Sequence, residues 1–473
     1  MKLTYGPSDK PGIWQTIVFA LQQVLAILAA TIVVPVIINT NTDLNEMGIY
    51  PAMSQSAALF GAGVGTLVYL LFTKFKSPVF LGSSFAFIGS MCAAFGGAVS
   101  VSVGYLGIII GALFAGLVYV VISFVVKYVG TDWINKIMPA AVIGPTVAVI
   151  GLSLAGNAIG DLAKGSVLDA SNTPVASPYV ALICGLVTLF TTIACSVYGK
   201  KMVKMIPFII GIVAGYAVAA IFTVIGIATK TPELQVINFG LFQDMKWLPE
   251  FTFIQAFEGF KDLGDFGSYM GTIAVAYIPV AFVVFAEHLA DHKNISSIIE
   301  QDLLKDPGLD KTLLGDGVGS MVGAFFGGCP NTTYGESVGC VAISGNASIV
   351  TIITAAIMCI LASFFAPFVT FLSTIPSCVM GGVCVALYGF IAVSGLKMIQ
   401  KVDLEDNRNL FVVSVILIAG VGGLVVSFGN VTLTAVACAL ILGILTNVLT
   451  HWKKDDAPAK VEVKEETTEE TAE

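Results

Sequence analysis

The chain has 473 residues, of which 56% are hydrophobic and only 11% are charged, and its mean hydropathy is +0.91. Soluble globular proteins carry about 25% charged residues, so this composition excludes the ordinary water-soluble classes. Because a helical membrane crossing needs about 20 apolar residues, the length predicts an all-α polytopic membrane protein. Residues 452–473 hold eight acidic and four basic residues and so contribute half of the formal net charge of -8; they are predicted to form a disordered acidic tail on the cytoplasmic side.

The three histidines and nine cysteines do not follow the spacing of haem, zinc or iron–sulfur sites. We therefore predict no cofactor and no metal site. The sequence contains no Ser–His, metal or paired-Asp catalytic signature, which argues against an enzyme. It also gives no reason to expect a nucleic-acid partner.

Apolar runs, read in chain order, predict about fourteen transmembrane segments, the first beginning near Trp14 and the last near Val431. All but four of the 23 Lys and Arg residues fall in loops on one side of the predicted membrane. The exceptions are Lys164, Lys230, Lys246 and Lys261. Since positive residues are enriched in cytoplasmic loops, we expect a multi-pass protein of the cytoplasmic membrane with both termini in the cytoplasm.

Three pairs of similar motifs lie seven predicted segments apart. Residues 19–26 match 284–291, residues 83–87 match 332–336, and residues 138–144 match 375–381. Seven is odd, so the two copies would enter the membrane from opposite sides. The sequence therefore predicts a 7+7 inverted repeat, an architecture typical of secondary transporters.

Four acidic residues lie within or at the edge of apolar segments: Glu287, Asp291, Asp316 and Glu336. Ionisable groups at membrane depth are costly, so such residues usually face the protein interior and serve a function. Glu287 and Asp291 are four residues apart and share a helical face. Two carboxylates at that spacing repel each other, so we expect one to hold a proton near neutral pH. Asp316 lies among glycines and is predicted to be a structural hydrogen-bond acceptor.

Residues 78–85 and 327–336 combine prolines, glycines and hydroxyl residues in a pattern that disfavours helix. Non-helical backbone at membrane depth must be buried in protein and paired. We therefore predict that these two pieces, in segments 3 and 10, form short antiparallel strands at the midplane. Each would lead into a half-helix whose N-terminus points at the meeting place.

The predicted site combines donors, acceptors and aromatic faces. Backbone amides near Phe85, Gly335 and Glu336 would donate to carbonyl oxygens, and the carboxylates of Glu287 and Glu336 would accept from N–H groups. Phe85 or Tyr334 would contribute an aromatic face. A flat, neutral, polar ring such as a nucleobase fits this set, whereas a sugar would call for more polar side chains and an anion for a basic residue.

Residues 286–289 and 330–339, together with 82–87, resemble the nucleobase/ascorbate transporter family of nucleobase:cation symporters, in particular its bacterial uracil permease branch. The similarity extends from Trp14 to about Trp452. It implies a core domain formed by 1–130 and 268–366, and a gate domain formed by 131–230 and 367–451. An extracellular loop at 231–267 and the tail at 452–473 complete the chain, and the resemblance implies a homodimer through the gate domain.

The same resemblance implies proton-coupled uptake of a nucleobase, most specifically uracil, by alternating access. The implied substrate-binding residues are Glu287, Glu336, Phe85, Gly335, Tyr334 and Ser84. The implied proton-coupling residues are Glu287, Asp291, His288 and Glu336.

This sequence departs from the family pattern at three places. Ser337 and Ser344 replace the Asn and Thr of the family signature, and Asp291 stands where the uracil branch often has His. Glu336 favours a pyrimidine over a purine. Two alternatives stay open: a xanthine or purine symporter of the same fold, and an anion transporter or channel with the same inverted repeat.

Overall fold

The computed structural model describes residues 3–130, 132–169, 173–200, 202–243, 245–262, 264, 266–428 and 431–451. The predicted acidic tail at 452–473 lies outside these residues. The described chain is mostly helical, and within it eight helices are long and apolar enough to cross a membrane. A bent pair of helices makes a ninth candidate if it is counted as one span.

Among the described residues, the first part of the chain, up to the predicted extracellular loop, forms eleven α-helices. They are α1 (Ile13–Asn39), α2 (Thr42–Glu46), α3 (Gln55–Phe72), α4 (Ile88–Gly96), α5 (Val101–Val129), α6 (Asp132–Ile137), α7 (Ala140–Ser153), α8 (Ala155–Asp161), α9 (Pro178–Tyr198), α10 (Met202–Met205) and α11 (Pro207–Thr229).

The described residues of the second part form nine more. They are α12 (Thr252–Gly259), α13 (Phe266–Ile299), α14 (Leu309–Gly327), α15 (Gly335–Ser344), α16 (Ile349–Ser363), α17 (Ala366–Ser373), α18 (Ser377–Ile399), α19 (Asn407–Val421) and α20 (Ala435–Thr450). Short 3₁₀ turns occur at Pro232–Leu234 and Phe239–Gln243, and a π turn at Leu304–Gly308.

Two short strands pair in the interior, as the sequence predicts. Strand β1 (Leu81–Ser83) runs antiparallel to β2 (Asn331–Thr333), with Gly82 opposite Thr332, and every residue of both strands is buried. A 3₁₀ turn at Phe85–Phe87 connects β1 to α4, while α15 follows β2 directly after Tyr334. A second antiparallel pair, β3 (Val426–Phe428) and β4 (Val431–Leu433), precedes α20.

Helices α3 and α14 pack closely because glycines line their contact. A Cβ atom on Gly61 would lie 2.7 Å from the Gly323 carbonyl oxygen, and one on Gly319 would lie 3.0 Å from the Gly65 carbonyl oxygen. Small residues let helix backbones approach in this way where lipid supplies no hydrophobic drive for association. Because α14 leads into β2, this contact helps to fix the position of the strand pair.

Burial separates inner helices from outer ones. The most apolar 18-residue windows of α1 and α13 are 72% and 61% buried, whereas those of α9 and α11 are 28% and 33% buried. The outer helices therefore present apolar side chains to their surroundings, as lipid-facing helices do. The inner helices are those that carry the acidic residues or pack against them.

Several of the fourteen predicted spans contain only short helices, so the number fourteen stays a prediction. Segments 3 and 10 each combine a three-residue strand with a helix of 9 or 10 residues. Helices α16 and α17 bend by 81° at the junction between them. Helices α19 and α20, with 15 and 16 residues, are shorter than a straight crossing requires.

Candidate functional site

A cavity of about 420 Å³ opens between α13, α15 and the helices of the predicted gate region, and we refer to it as the central cavity. One wall is a face of α13 formed by Glu287, Ala290, Asp291 and Asn294. These positions are three, four and seven residues apart, so they project from the same side of a helix. The predicted carboxylate pair therefore faces a shared space.

A second wall comes from β2, α15 and the turn that follows β1. Phe85, which begins the turn after β1, lines the central cavity together with Tyr334, Gly335 and Glu336 from the start of α15. Helix geometry leaves the first amide N–H groups of a helix without intrahelical partners and places a partial positive charge there. Hydrogen-bond donors and the Glu336 carboxylate thus lie at one end of the same helix.

Tyr334 is fixed by the strands. Its hydroxyl donates to the Ser83 carbonyl oxygen at 2.9 Å, and the Thr31 hydroxyl lies 3.5 Å from it. Gly82 makes room for the ring, since a Cβ atom there would lie 2.4 Å from two ring carbons of Tyr334. The tyrosine ring therefore has a defined orientation where it borders the central cavity.

Asp291 is buried and has a neutral partner. The Thr333 hydroxyl, at the end of β2, donates to an Asp291 carboxylate oxygen at 3.0 Å. This bond links the carboxyl group on α13 to the strand pair. A hydroxyl can serve either protonation state of a carboxyl group, because it can both donate and accept.

The remaining wall comes from the predicted gate region. Ile143 on α7, Phe208 on α11 and Leu387 on α18 give it an apolar surface. Tyr388 packs against Phe85 edge to face, with ring centroids 6.1 Å apart. Tyr388 was not predicted from the sequence; the two aromatic residues Tyr388 and Phe390, two positions apart on α18, were a signal that could have marked this helix.

Exposed and half-buried polar residues among those that line the central cavity mark its mouth. Ser196 on α9, Lys204 on α10 and Ser394 on α18 lie there with Asn294. Lys204 belongs to a loop that charge bias predicts to be cytoplasmic, so the cavity opens toward that predicted side. These residues were not predicted from the sequence either, since the predicted site contained no basic residue.

Two predicted site residues lie elsewhere. Among the residues that the structure describes, Ser84 is buried outside the cavity lining, and its backbone amide donates to the Pro330 carbonyl oxygen at 2.9 Å. His288 points toward α14, where its Nδ1 lies 2.8 Å from an Asp316 carboxylate oxygen and its Nε2 lies 3.0 Å from the Thr312 hydroxyl. Asp316 is thus a buried structural partner, as predicted.

Ser337, which departs from the family signature, joins two inner elements. Its hydroxyl accepts from the Gln23 side-chain amide at 2.7 Å and from the Phe80 backbone amide at 3.0 Å. Ser344, the second departure, accepts from the Asn346 amide at 3.2 Å. Both serines therefore make hydrogen bonds that hold α15 and the loop after it.

Apolar spans around a cavity lined by three carboxyl groups indicate an integral membrane transporter. The chain belongs to a permease family whose model matches residues 14–428, and it is therefore a transporter rather than an enzyme. It is 36% identical to the uracil permease of Bacillus subtilis (strain 168), over 96% of this chain and 97% of that protein. It is also 36% identical to the uracil permease of Escherichia coli (strain K12), over 93% and 92% of the two chains.

Solved structures show the fold at lower sequence similarity. The transmembrane domain of the cyanobacterial bicarbonate transporter BicA matches with a TM-score of 0.59 at 15% identity, covering 95% of this chain and all of that one. SLC26A9 matches with a TM-score of 0.58 at 12% identity, covering 93% of this chain and 65% of that one. The resemblance to nucleobase transporters predicted from the sequence is confirmed by the family, whereas these two structures establish only the fold.

Proposed function

We propose that this protein is a proton-coupled symporter that takes up a nucleobase, with uracil as its main substrate, across the cytoplasmic membrane. Membership of the permease family and similarity to proteins named uracil permease support this substrate. The observation that carries the proposal is the convergence of Glu287 and Glu336, from two separate helices, on one cavity beside two aromatic residues.

The proposed binding mode matches each edge of the base to a group in the central cavity. Glu287 and Glu336 accept hydrogen bonds from the ring N–H groups, and amides at Phe85 and Gly335 donate to the ring carbonyl oxygens. Phe85 and Tyr334 pack against the ring. Discrimination of this kind is strong because a base that lacks an N–H group leaves a buried acceptor unpaired.

Proton coupling is assigned to the carboxyl groups on α13. Glu287 and Asp291 share the cavity face, and a buried carboxylate without a cation is the costlier form while the site changes access. Glu336 and His288 are further candidates from the sequence, although His288 bonds to Asp316 and Thr312 on α14. A proton moving inward across 100 mV supplies about 2.3 kcal/mol, enough for useful accumulation.

The proposed cycle moves a core domain (1–130 and 268–366) against a gate domain (131–230 and 367–451). The central cavity is lined from both sets of residues, as expected of a site between two moving parts. The proposal also includes fourteen spans in a 7+7 inverted repeat and a homodimer through the gate domain. Both termini would lie in the cytoplasm and the loop at 231–267 outside the cell.

A ligand panel on the purified protein tests the substrate. Uracil should raise the thermal stability most, followed by thymine, with xanthine, hypoxanthine, ascorbate and bicarbonate giving little or no shift. The substitution Glu336→Gln should weaken uracil binding by about tenfold or more, because it replaces an acceptor with a group that can also donate. Unchanged affinity in this variant would mean that the site is misplaced.

Two alternatives are tested by the same ligand panel. The shared fold with a bicarbonate transporter and Lys204 at the mouth favour anion transport, but three acidic residues line the same cavity. A xanthine carrier would have the same fold. A rise in thermal stability with bicarbonate and none with uracil would favour an anion transporter. Competition of uracil binding by xanthine would favour a xanthine carrier.

A further inference from the structure

Residues 3–12, which precede α1, cross the loop that follows α15, and we refer to them as the N-terminal strap. The Thr4 and Tyr5 amides both donate to the Gly345 carbonyl oxygen, at 2.8 and 3.1 Å. The Ala347 amide donates to the Tyr5 carbonyl oxygen at 2.8 Å. The Ser348 hydroxyl extends the contact by donating to the backbone of Asp9 at 2.6 Å. The two segments are therefore joined along several consecutive residues.

The strap has its own internal order. The Asp9 amide donates to the Gly6 carbonyl oxygen at 3.1 Å, and the Gly6 amide donates to the Asp9 carboxylate at 2.7 Å. Pro7 occupies the second position of this turn, where its fixed φ angle is favourable. The closed turn and the row of tertiary hydrogen bonds give the strap a defined conformation.

Tyr5 ties the strap to α1 as well. Its hydroxyl donates to the Gln15 side chain at 2.9 Å, and its ring meets Phe19 edge to face with centroids 6.1 Å apart. The strap consequently bridges the start of α1 and the end of α15.

The element that the strap holds is the one that carries Glu336. Helix α15 has only 10 residues, too few to be stable alone, and its last carbonyl groups have no intrahelical partners. The other half-helix, α4, is buttressed differently: the Tyr269 hydroxyl on α13 donates to the Ala94 carbonyl oxygen at 2.7 Å. Each half-helix is thus held near its C-terminal end from elsewhere in the chain.

We infer that the N-terminal strap is a positioning element for Glu336. It fixes the far end of α15, so that the carboxylate at the near end keeps the position that a bound base requires. Residues of the strap do not contact the substrate in this role. The inference rests on the proposed function, because its readout is nucleobase binding.

Deletion of residues 2–9 tests the inference on the otherwise full-length protein. Uracil binding, measured well below the unfolding temperature, should weaken about tenfold. A truncation after His451 is the matched control, since it removes a terminal segment and leaves the strap in place; it should bind as the wild type does. Wild-type affinity after the deletion would overturn the inference, whereas a wild-type protein that binds no uracil would contradict the proposed function instead.

A double-mutant cycle separates positioning from general stability. If the strap acts through Glu336, deleting residues 2–9 from the Glu336→Gln variant should lower uracil affinity by less than about twofold. The same deletion in the Glu287→Gln variant, which changes α13, should lower uracil affinity by its full factor. If the affinity losses caused by the deletion and by Glu336→Gln simply multiply in the double variant, the inference is overturned. If the protein without residues 2–9 does not fold, Tyr5→Ala replaces the deletion in the same cycle. Tyr5→Phe, which keeps the ring, is then the control.

Discussion

Adjacent faces of α13 carry different chemistry. Glu287 and Asp291 line the central cavity, whereas His288 and His292 are fully buried against neighbouring helices. The His292 Nδ1 donates to the His288 carbonyl oxygen at 2.8 Å, and its Nε2 lies 2.6 Å from the Tyr69 hydroxyl. The carboxyl face is therefore open to substrate and water, while the imidazole face is engaged in packing.

Replacing Asp291 with Asn should uncouple transport from the proton gradient. Asn keeps a hydrogen-bonding partner for Thr333 but cannot bind or release a proton, so the variant resembles the protonated carboxyl group. In membrane vesicles we expect uracil exchange to persist and accumulation driven by an imposed pH gradient to be lost. Asp302→Asn, at a partly exposed position, is the control and should accumulate normally. Gradient-driven accumulation by Asp291→Asn at the wild-type level would refute this assignment.

Residue types and spacing predicted part of the site. Glu287, Asp291 and Glu336 were identifiable because carboxyl groups are rare and costly in apolar segments. The direction in which the His288 side chain points could not be identified from the sequence. It depends on α14, which packs behind α13 and supplies the partners Asp316 and Thr312. The mouth residues Ser196 and Lys204 belong to α9 and α10, and no local pattern marks them as neighbours of α13.

At the scale of elements, the strand pair was predictable and the strap was not. Prolines, glycines and hydroxyl residues disfavour helix around Gly82 and Thr332, and burial then requires the two pieces to pair. The strap, in contrast, uses backbone groups for most of its bonds to residues 345–349. Backbone donors and acceptors are the same in every sequence, so such a contact leaves almost no trace in residue types.

Gly82→Ala should disturb the site through the Tyr334 ring. The added Cβ would lie 2.4 Å from the ring, and because strand pairing prevents the backbone from yielding, the ring must move, at a cost of about 1–3 kcal/mol. Uracil affinity should fall by about tenfold or more. Gly89→Ala on α4 is the matched control, since its nearest contact would be an ordinary 3.7 Å. Equal affinities of the two variants would show that the ring orientation has no influence on binding.

At the scale of the molecule, composition identified the membrane class, while the number of crossings depends on how helices are broken. Helices α1, α5 and α13 each exceed 25 residues and give clear apolar runs. Segments interrupted at the strands or at the 81° bend between α16 and α17 fall below the length of a straight span. Apolar sequence alone does not distinguish a broken crossing from a complete one.

Access to the two ends of the transport path can be measured with single cysteines in a cysteine-free background. Ser394 lies at the mouth of the central cavity, and Ser373 on α17 lines a separate cavity of about 340 Å³ between α1, α3 and residues 241–250. If the termini are cytoplasmic, Ser394→Cys should react with an impermeant maleimide in inside-out vesicles, and Ser373→Cys only in right-side-out vesicles. Because substrate and a proton gradient change the population of the two access states, both labelling rates should respond to them. Labelling of both positions from the same side would contradict the proposed orientation, and rates indifferent to substrate and gradient would contradict alternating access.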